Sequence, residues 1–455
     1  MRTAHELAAM IRDGRLTAVE ALESHLERID KHNPELNAIV SLDAGGARAR
    51  AEEADAALRR GEISGPLHGV PMTVKDGLDV AGMRTTVGTP VLDRVPTEDG
   101  TAAARLRAAG AVLIGHTNVP PWLADYQTDN PIFGRTANPW DPARTPGGSS
   151  GGAAAAVATG MTPLEIVSDL AGSARLPAHF CGVYGLKATE HRAPMTGFLR
   201  PPDGTARPVR IMATLGVMAR DLADLELGLA VISGPDGFDA DVAPVPLGAR
   251  RPREVADLRV AVAPTLPGAV VAHGVRRQVD RVAAEISAAG GTVERRLPDV
   301  DWAALHRLFG ELLHAVTGVF DPESGLSEEH RSLGWYLTAL DRRDRFIAAW
   351  EAYLADVDAL LLPPAMTTAF PHTGTDGLVD VDGRAVGYQR QGELLVFANL
   401  LGLPGLVAPA GFDDDGLPAG VQLVGRRWSE LGLLDVAQAL ELAGILPGFQ
   451  APPGF

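Results

Sequence analysis

Apolar and polar positions alternate along this chain with two different periods. Near the start, Ala4, Leu7, Ala8 and Ile11 recur every three or four residues, as do Ala18, Leu22, His25, Leu26 and Ile29. That spacing puts each set on one helical face, so residues 3–30 read as two amphipathic helices. Thr17 with Glu20 three residues on has the spacing of a capping box. Asn33-Pro34 is expected to end the second helix, because a residue before proline avoids the helical region. Residues 47–60, 101–109, 153–158, 222–232, 275–288 and 431–443 also read as helices, and 302–354 reads as mostly helical with a break at Asp321-Pro322. Short apolar runs at 70–74, 111–115, 164–167, 258–263, 359–362, 406–410 and 420–425 read as strands, as do 37–42 and 292–294. Residues 406–410 and 420–425 pair around an acidic turn, Asp413 to Gly416. Helix 101–109 with strand 111–115 resembles a parallel crossover unit. This alternation predicts an α/β fold with helices flanking a sheet. Segments 241–246 and 250–254 read as linkers.

Composition narrows the function classes. The chain has 455 residues and a formal net charge of −16, which argues against nucleic acid as a partner, since phosphates attract basic faces. No apolar run is long enough to span a membrane, and the start lacks a signal-peptide core, so a cytoplasmic protein is expected. The single cysteine, Cys181, excludes an internal disulfide. His306, His314 and His330 lack metal-ligand spacing, and Asp413 to Gly416 lacks the ligand pattern of a calcium loop.

Candidate chemistry concentrates in residues 147–189. They open with a glycine-serine loop, GGSSGG, and carry a second small-residue turn, Leu170-Ala171-Gly172-Ser173, before Arg175 and Pro177. Small residues let backbone N–H groups approach a reacting atom. Gly148-x-Ser150-x-Gly152 matches a nucleophile elbow, but that motif needs a strand before it, and residues 138–146 hold three prolines. A serine is also activated by a neutral lysine. Lys75 stands at the end of the strand 70–74, where it reads either as such a base or as an ion-pair partner of Asp76.

Three motifs carry a family resemblance: PMTVKD around Lys75, PGGSSGG around Ser149, and AGSARLPAHFCGVYGLKAT around Ser173. Together with residues 117–141, 213–237 and 399–425 they resemble the amidase signature family, over most of the chain and least between about 242 and 361. The resemblance implies a single amidase domain over 1–455, α/β, with a mixed central sheet covered by helices on both faces. Its signature core would be 60–240, a more variable helical part 241–360, and 361–455 the C-terminal part of the same sheet. It implies amide hydrolysis with Ser173 as nucleophile, Ser149 as bridging serine and Lys75 as base. The N–H groups of Leu170, Ala171, Gly172 and Ser173 would form the oxyanion hole, supported by Ser150, Ser168, Asp169 and Arg175, with a cis peptide bond at the bridging serine.

Leu123, Ala124, Asp125 and Tyr126 would border the acyl pocket. The loop 191–210 would overhang the site, with Arg192 as a gate, and Trp335 and Tyr336 are further candidates for the pocket. No cofactor or metal is implied; the partner is a small-molecule amide, and the assembly a monomer or homodimer. The sequence departs from the family's common GTDTGGSIR, reading VSDLAGSAR. Leu170 and Ala171 make the site more apolar, which suits aryl or alkyl amides, anilides and carbamates. Ala171 raises a further question: a left-handed backbone there would cost about 1 kcal/mol. A glutamine-dependent amidotransferase subunit that releases ammonia is the alternative reading.

Overall fold

Eleven strands form one mixed sheet in the computed structural model, which describes residues 1–200, 209–319 and 323–455. The chain begins with α1 (Ala4–Arg12), α2 (Ala18–Leu36), β1 (Ile39–Leu42) and α3 (Ala44–Arg59). Next come β2 (Pro71–Lys75), α4 (Thr101–Ala108), β3 (Val112–Thr117), α5 (Gly151–Ala158) and β4 (Leu164–Asp169). Then α6 (Arg175–Cys181), β5 (Tyr184–Lys187), β6 (Thr214–Ala219) and α7 (Leu222–Ile232) lead to β7 (Arg259–Val262), α8 (His273–Ala288) and β8 (Thr292–Glu294). Two long helices, α9 (Trp302–Gly318) and α10 (Leu333–Tyr353), precede β9 (Ala359–Leu362) and the hairpin β10 (Leu378–Val381) and β11 (Arg384–Gly387). The chain closes with α11 (Val396–Leu400), β12 (Gly405–Phe412), β13 (Pro418–Val424) and α12 (Glu430–Leu442).

The sheet order is β1-β3-β2-β4-β6-β5-β12-β13-β9-β7-β8. Strand β2 runs parallel to β3 and to β4, while β4, β6, β5, β12, β13 and β9 pair antiparallel in succession. Every residue of β2 and β4 is buried, as expected where helices cover both faces. This is the expected α/β architecture with helices flanking a mixed sheet. Parallel β2 and β4 both end at the same edge, and the carboxyl ends of such strands are where open α/β sheets place their ligands.

Three expectations change. Helix α2 runs through Pro34 to Leu36, because proline's fixed φ suits a helix and the missing N–H removes only one bond near its end. Its stop is Asn37, left-handed at φ 50°, whose side chain donates to the carbonyls of Phe133 and Arg135. Helix α6 was not expected around Pro177, but that proline lies in the first turn, where N–H groups have no helical acceptor anyway. Third, the segments read as linkers are irregular but fastened: Arg250 pairs with both Asp435 and Glu226. The break expected at Asp321-Pro322 lies outside the described residues. Among the described residues no helix is long and apolar enough to cross a membrane.

Candidate active site

Lys75 is the last residue of β2 and is fully buried. Its Nζ donates to Ser149 Oγ at 2.7 Å and to Ser168 Oγ at 3.0 Å. It makes no ion pair with Asp76, whose carboxylate instead accepts the Thr86 N–H at 2.9 Å and the Thr86 hydroxyl at 2.6 Å. Burial pushes the Lys75 ammonium down to about 7, against the upward pull of Asp169 and Glu165. Near neutral pH this amine is therefore available as a base.

Ser149 is fully buried in the loop that enters α5, and the Gly148–Ser149 peptide bond is cis. Gly148 has to be glycine: a Cβ there would lie 2.6 Å from Asp125 O and 2.5 Å from Gln127 O. The 125–127 backbone thus packs directly against the serine loop. Ser150 caps α5 without a side-chain bond, and its buried hydroxyl has no partner among the described residues. With a proline-rich loop before it rather than a strand, it is not an elbow nucleophile.

The second serine turn is built on Asp169 at the end of β4. Its Oδ1 accepts the Gly172 N–H at 2.9 Å and its Oδ2 the Ala174 N–H at 3.1 Å. Arg175, the first residue of α6, grips both oxygens, at 2.9 and 3.0 Å. Burial opposes the Asp169 charge, yet Arg175 outweighs it and holds the carboxyl well below its ordinary range. Arg175 is itself held by Gln422 at 2.8 Å, Asn399 at 2.6 Å and the Leu395 carbonyl at 3.0 Å. The turn is therefore fixed by a buried, fully bonded pair, the arrangement a buried charge requires.

One expected oxyanion donor is taken: the Gly172 N–H already serves Asp169. No acceptor among the described residues takes the N–H of Leu170, Ala171 or Ser173. Ala171 keeps a negative φ, so its methyl costs no left-handed strain. Gly172 sits at φ 110°, and a Cβ there would lie 2.4 Å from Leu395 Cδ1. Ser173 is 8 % exposed, the most open of Ser149, Ser150, Ser168 and Ser173. Its Oγ makes no hydrogen bond to Ser149, so of the expected relay the structure contains the Lys75–Ser149 half.

The candidate pocket residues divide. Leu123 approaches the turn after Lys75, its Cδ1 lying 3.4 Å from a Cβ built on Gly77. Ala124 faces solvent. Asp125 accepts the hydroxyl of Tyr388 in a short bond, and Tyr126 packs against the apolar cluster that includes Tyr388 and Leu395, the latter being the side chain that covers Gly172. Arg192 is not a gate. It is 1 % exposed, bound to Glu430 at 2.9 and 3.1 Å and to the Val245 carbonyl at 2.9 Å, with its guanidinium 4.6 Å over the Trp428 ring. A buried guanidinium needs such partners, so it cannot swing over a substrate. Of the loop expected to overhang the site, 201–208 lie outside the described residues, and Ala193 and Met195 in the remainder are buried.

The Amidase family model matches residues 20–310 and 300–434. The chain belongs to the amidase signature family. It is 34% identical to an indoleacetamide hydrolase of Bradyrhizobium diazoefficiens, over 98% of this chain and 87% of that one. It is 35% identical to one of the subunits of the glutamyl-tRNA(Gln) amidotransferase of Roseiflexus, over 94% and 93% of the two chains. Among solved structures, 6-aminohexanoate cyclic dimer hydrolase with its substrate superposes with a TM-score of 0.84 at 28% identity, over 99% of this chain and 98% of that one.

Several residues around the site of this amidase signature chain were not singled out from its sequence. Glu165 on β4 is fully buried, accepts the hydroxyls of Thr73 and Thr117, and is pushed by burial up to about 8. Lys187 at the end of β5 donates to the carbonyls of Leu403 at 2.7 Å and Ala188 at 3.1 Å, and burial lowers it to about 7. Asn399 and Gln422 complete the shell around Arg175. Each of the four makes at least one bond to a residue distant in the chain, and a single sequence carries no signal for such a bond.

Proposed function

We propose that this chain hydrolyses the C–N bond of apolar amides, aryl or alkyl, with carbamates and esters as further substrates, through an acyl-enzyme on Ser173. Ser173 Oγ attacks the carbonyl carbon, and its proton passes through Ser149 Oγ to neutral Lys75. The oxyanion is met by the N–H groups of Leu170, Ala171 and Ser173, with Asp169 and Arg175 holding the turn in place. When the C–N bond breaks, the Lys75 ammonium returns the proton through Ser149 to the departing amine. Water then attacks the ester, releasing the acid and freeing Ser173. One observation carries the reading: a buried amine, depressed toward neutrality, bonded at 2.7 Å to Ser149. Leu170 and Ala171, partly exposed beside Ser173, support an apolar substrate. The test is covalent labelling by a fluorophosphonate, read by peptide mass, beside a screen of aliphatic amides, anilides, carbamates and esters. Label on a residue other than Ser173 would end the proposal.

The likeness to a glutamyl-tRNA(Gln) amidotransferase chain supports a second reading, ammonia release from glutamine. Leu170 and Ala171 offer no side-chain polar group for an amino-acid head, which weighs against it. Glutaminase activity, measured alone and with candidate partner chains, separates the two.

A further inference from the structure

A run of buried bonds joins the second serine turn to α10, in the part of the chain where the family resemblance is weakest. Asp169 Oδ1 accepts Asn399 Nδ2 at 2.9 Å, and the same nitrogen donates to the Met212 carbonyl at 3.2 Å. Met212 returns its N–H to Glu190 in a short bond. Glu190 then forms an ion pair with Arg343, whose Nε also donates to the Leu400 carbonyl. None of these five residues is more than 6 % exposed.

The backbone around Glu190 is unusual. His191 and Met212 are left-handed, at φ 62° and 68°, without being glycine. Such residues cost about 1–3 kcal/mol each and persist only where the surroundings over-determine them. Glu190 precedes one and binds the other, so the ion pair lies at the centre of this strained pair.

Arg343 lies on the face of α10 that also presents Tyr336, Ala339 and Trp350, at successive spacings of three, four and seven residues. About two turns before Arg343, Trp335 and Tyr336 are partly buried against the same apolar cluster as Leu170, Ala171 and Ile211. Burial raises the Tyr336 phenol, with Arg343 pulling it down and Glu190 pulling it up. On the outer side of the same turns, Leu333 and Leu337 are exposed.

Resting on the reading of Ser173 as nucleophile, we propose that Arg343 is a positioning residue whose buried pair with Glu190 fixes α10 so that Trp335 and Tyr336 form the apolar wall selecting bulky aryl amides. The oxyanion turn keeps its own support from Asp169 and Arg175, so cutting the pair releases the wall and leaves the turn in place.

The test compares an arylacetamide with acetamide in the full-length chain. Arg343→Met should raise KM for the arylacetamide about tenfold or more while changing kcat/KM for acetamide less than threefold. Where Arg343→Met fails to fold because Glu190 is left unpaired, the double variant Glu190→Gln with Arg343→Met removes both charges and serves in its place. Trp335→Ala and Tyr336→Ala should each narrow the preference for the aryl substrate in the same direction. An equal fall on both substrates, as a merely structural role gives, overturns the proposal, and so does unchanged preference in Trp335→Ala and Tyr336→Ala. Fluorophosphonate labelling of the unmutated chain keeps the two readings apart: label on Ser173 with no change in preference sinks only the role of Arg343.

Discussion

Lys75 Nζ lies 2.7 Å from Ser149 Oγ and forms no ion pair among the described residues. An amine so placed gains little from staying charged, and burial brings it to about 7. As a base it works only when neutral, so acylation should fall about tenfold per pH unit below that value. Single-turnover acylation followed from pH 5 to 9 checks this. Lys75→Met should slow the step by about a hundredfold to ten-thousandfold at pH 7. An acid limb near pH 5, or near-normal acylation by the variant, removes Lys75 from the base role.

Glu165 gives a prediction about stability. Its carboxyl is raised from 4.5 to about 8 by burial. Between those values the folded chain binds a proton that the unfolded chain has lost. The stabilisation is therefore full below pH 4.5 and is lost as pH rises toward 8, at up to about 1.4 kcal/mol per pH unit. Lys75 acts in another window, since its shift runs from 10.5 down to about 7. Between pH 5 and 7 the Glu165 effect stands alone of the two. Glu165→Gln does not titrate, so urea unfolding should show the variant gaining on the native chain by about 1 kcal/mol or more across that interval. Parallel stability curves would show that the carboxyl keeps its ordinary titration.

The elements that a single sequence reveals are those whose period is undisturbed. Helix 222–232 and the strands 292–294 and 359–362 coincide with α7, β8 and β9 residue for residue. Strands β5 and β6 carry no clear strand pattern, since Gly185 and Gly216 interrupt their apolar runs where neighbouring backbone leaves no room for a Cβ. The same division holds at the site. Lys75, Ser149 and Ser173 stand out because they sit in small-residue turns or at a strand end. Glu165, Asn399 and the Glu190–Arg343 pair do not, because their function is to meet residues far away in the chain. Arg192 shows the opposite failure: an arginine in a proline-rich loop looks exposed until Glu430, 238 residues later, is placed beside it.

Neighbouring positions in the second serine turn should respond oppositely to exchange of glycine and alanine. Ala171 has a negative φ, so Ala171→Gly should cost no more than about 1 kcal/mol of stability and leave acylation within a few-fold. Gly172 is at φ 110° with Leu395 Cδ1 2.4 Å from the place of a Cβ. Gly172→Ala must shift both the backbone and Leu395, which moves the adjacent N–H donors. Loss of one oxyanion donor typically costs about a hundredfold in rate, so Gly172→Ala should lose about tenfold or more. Equal behaviour of the two variants would mean that this turn does not hold the oxyanion.

The Arg192 pair predicts a loss of stability without a change in selectivity. Among the described residues, Arg192→Ala leaves the fully buried Glu430 carboxylate with the Thr189 N–H, at 2.9 Å, as its one hydrogen-bond partner. Removing one partner of a buried pair costs about 3–5 kcal/mol, whereas replacing both with apolar groups is near neutral. Thermal or urea unfolding should therefore show a large fall for Arg192→Ala and a substantial recovery when Glu430→Leu is added. A gate over the substrate would behave differently, altering turnover of bulky amides more than of small ones. With the guanidinium enclosed between Glu430, Val245 and Trp428, the two substrate classes should fall together in Arg192→Ala, and a selective effect on the bulky class would return this residue to the mouth of the site.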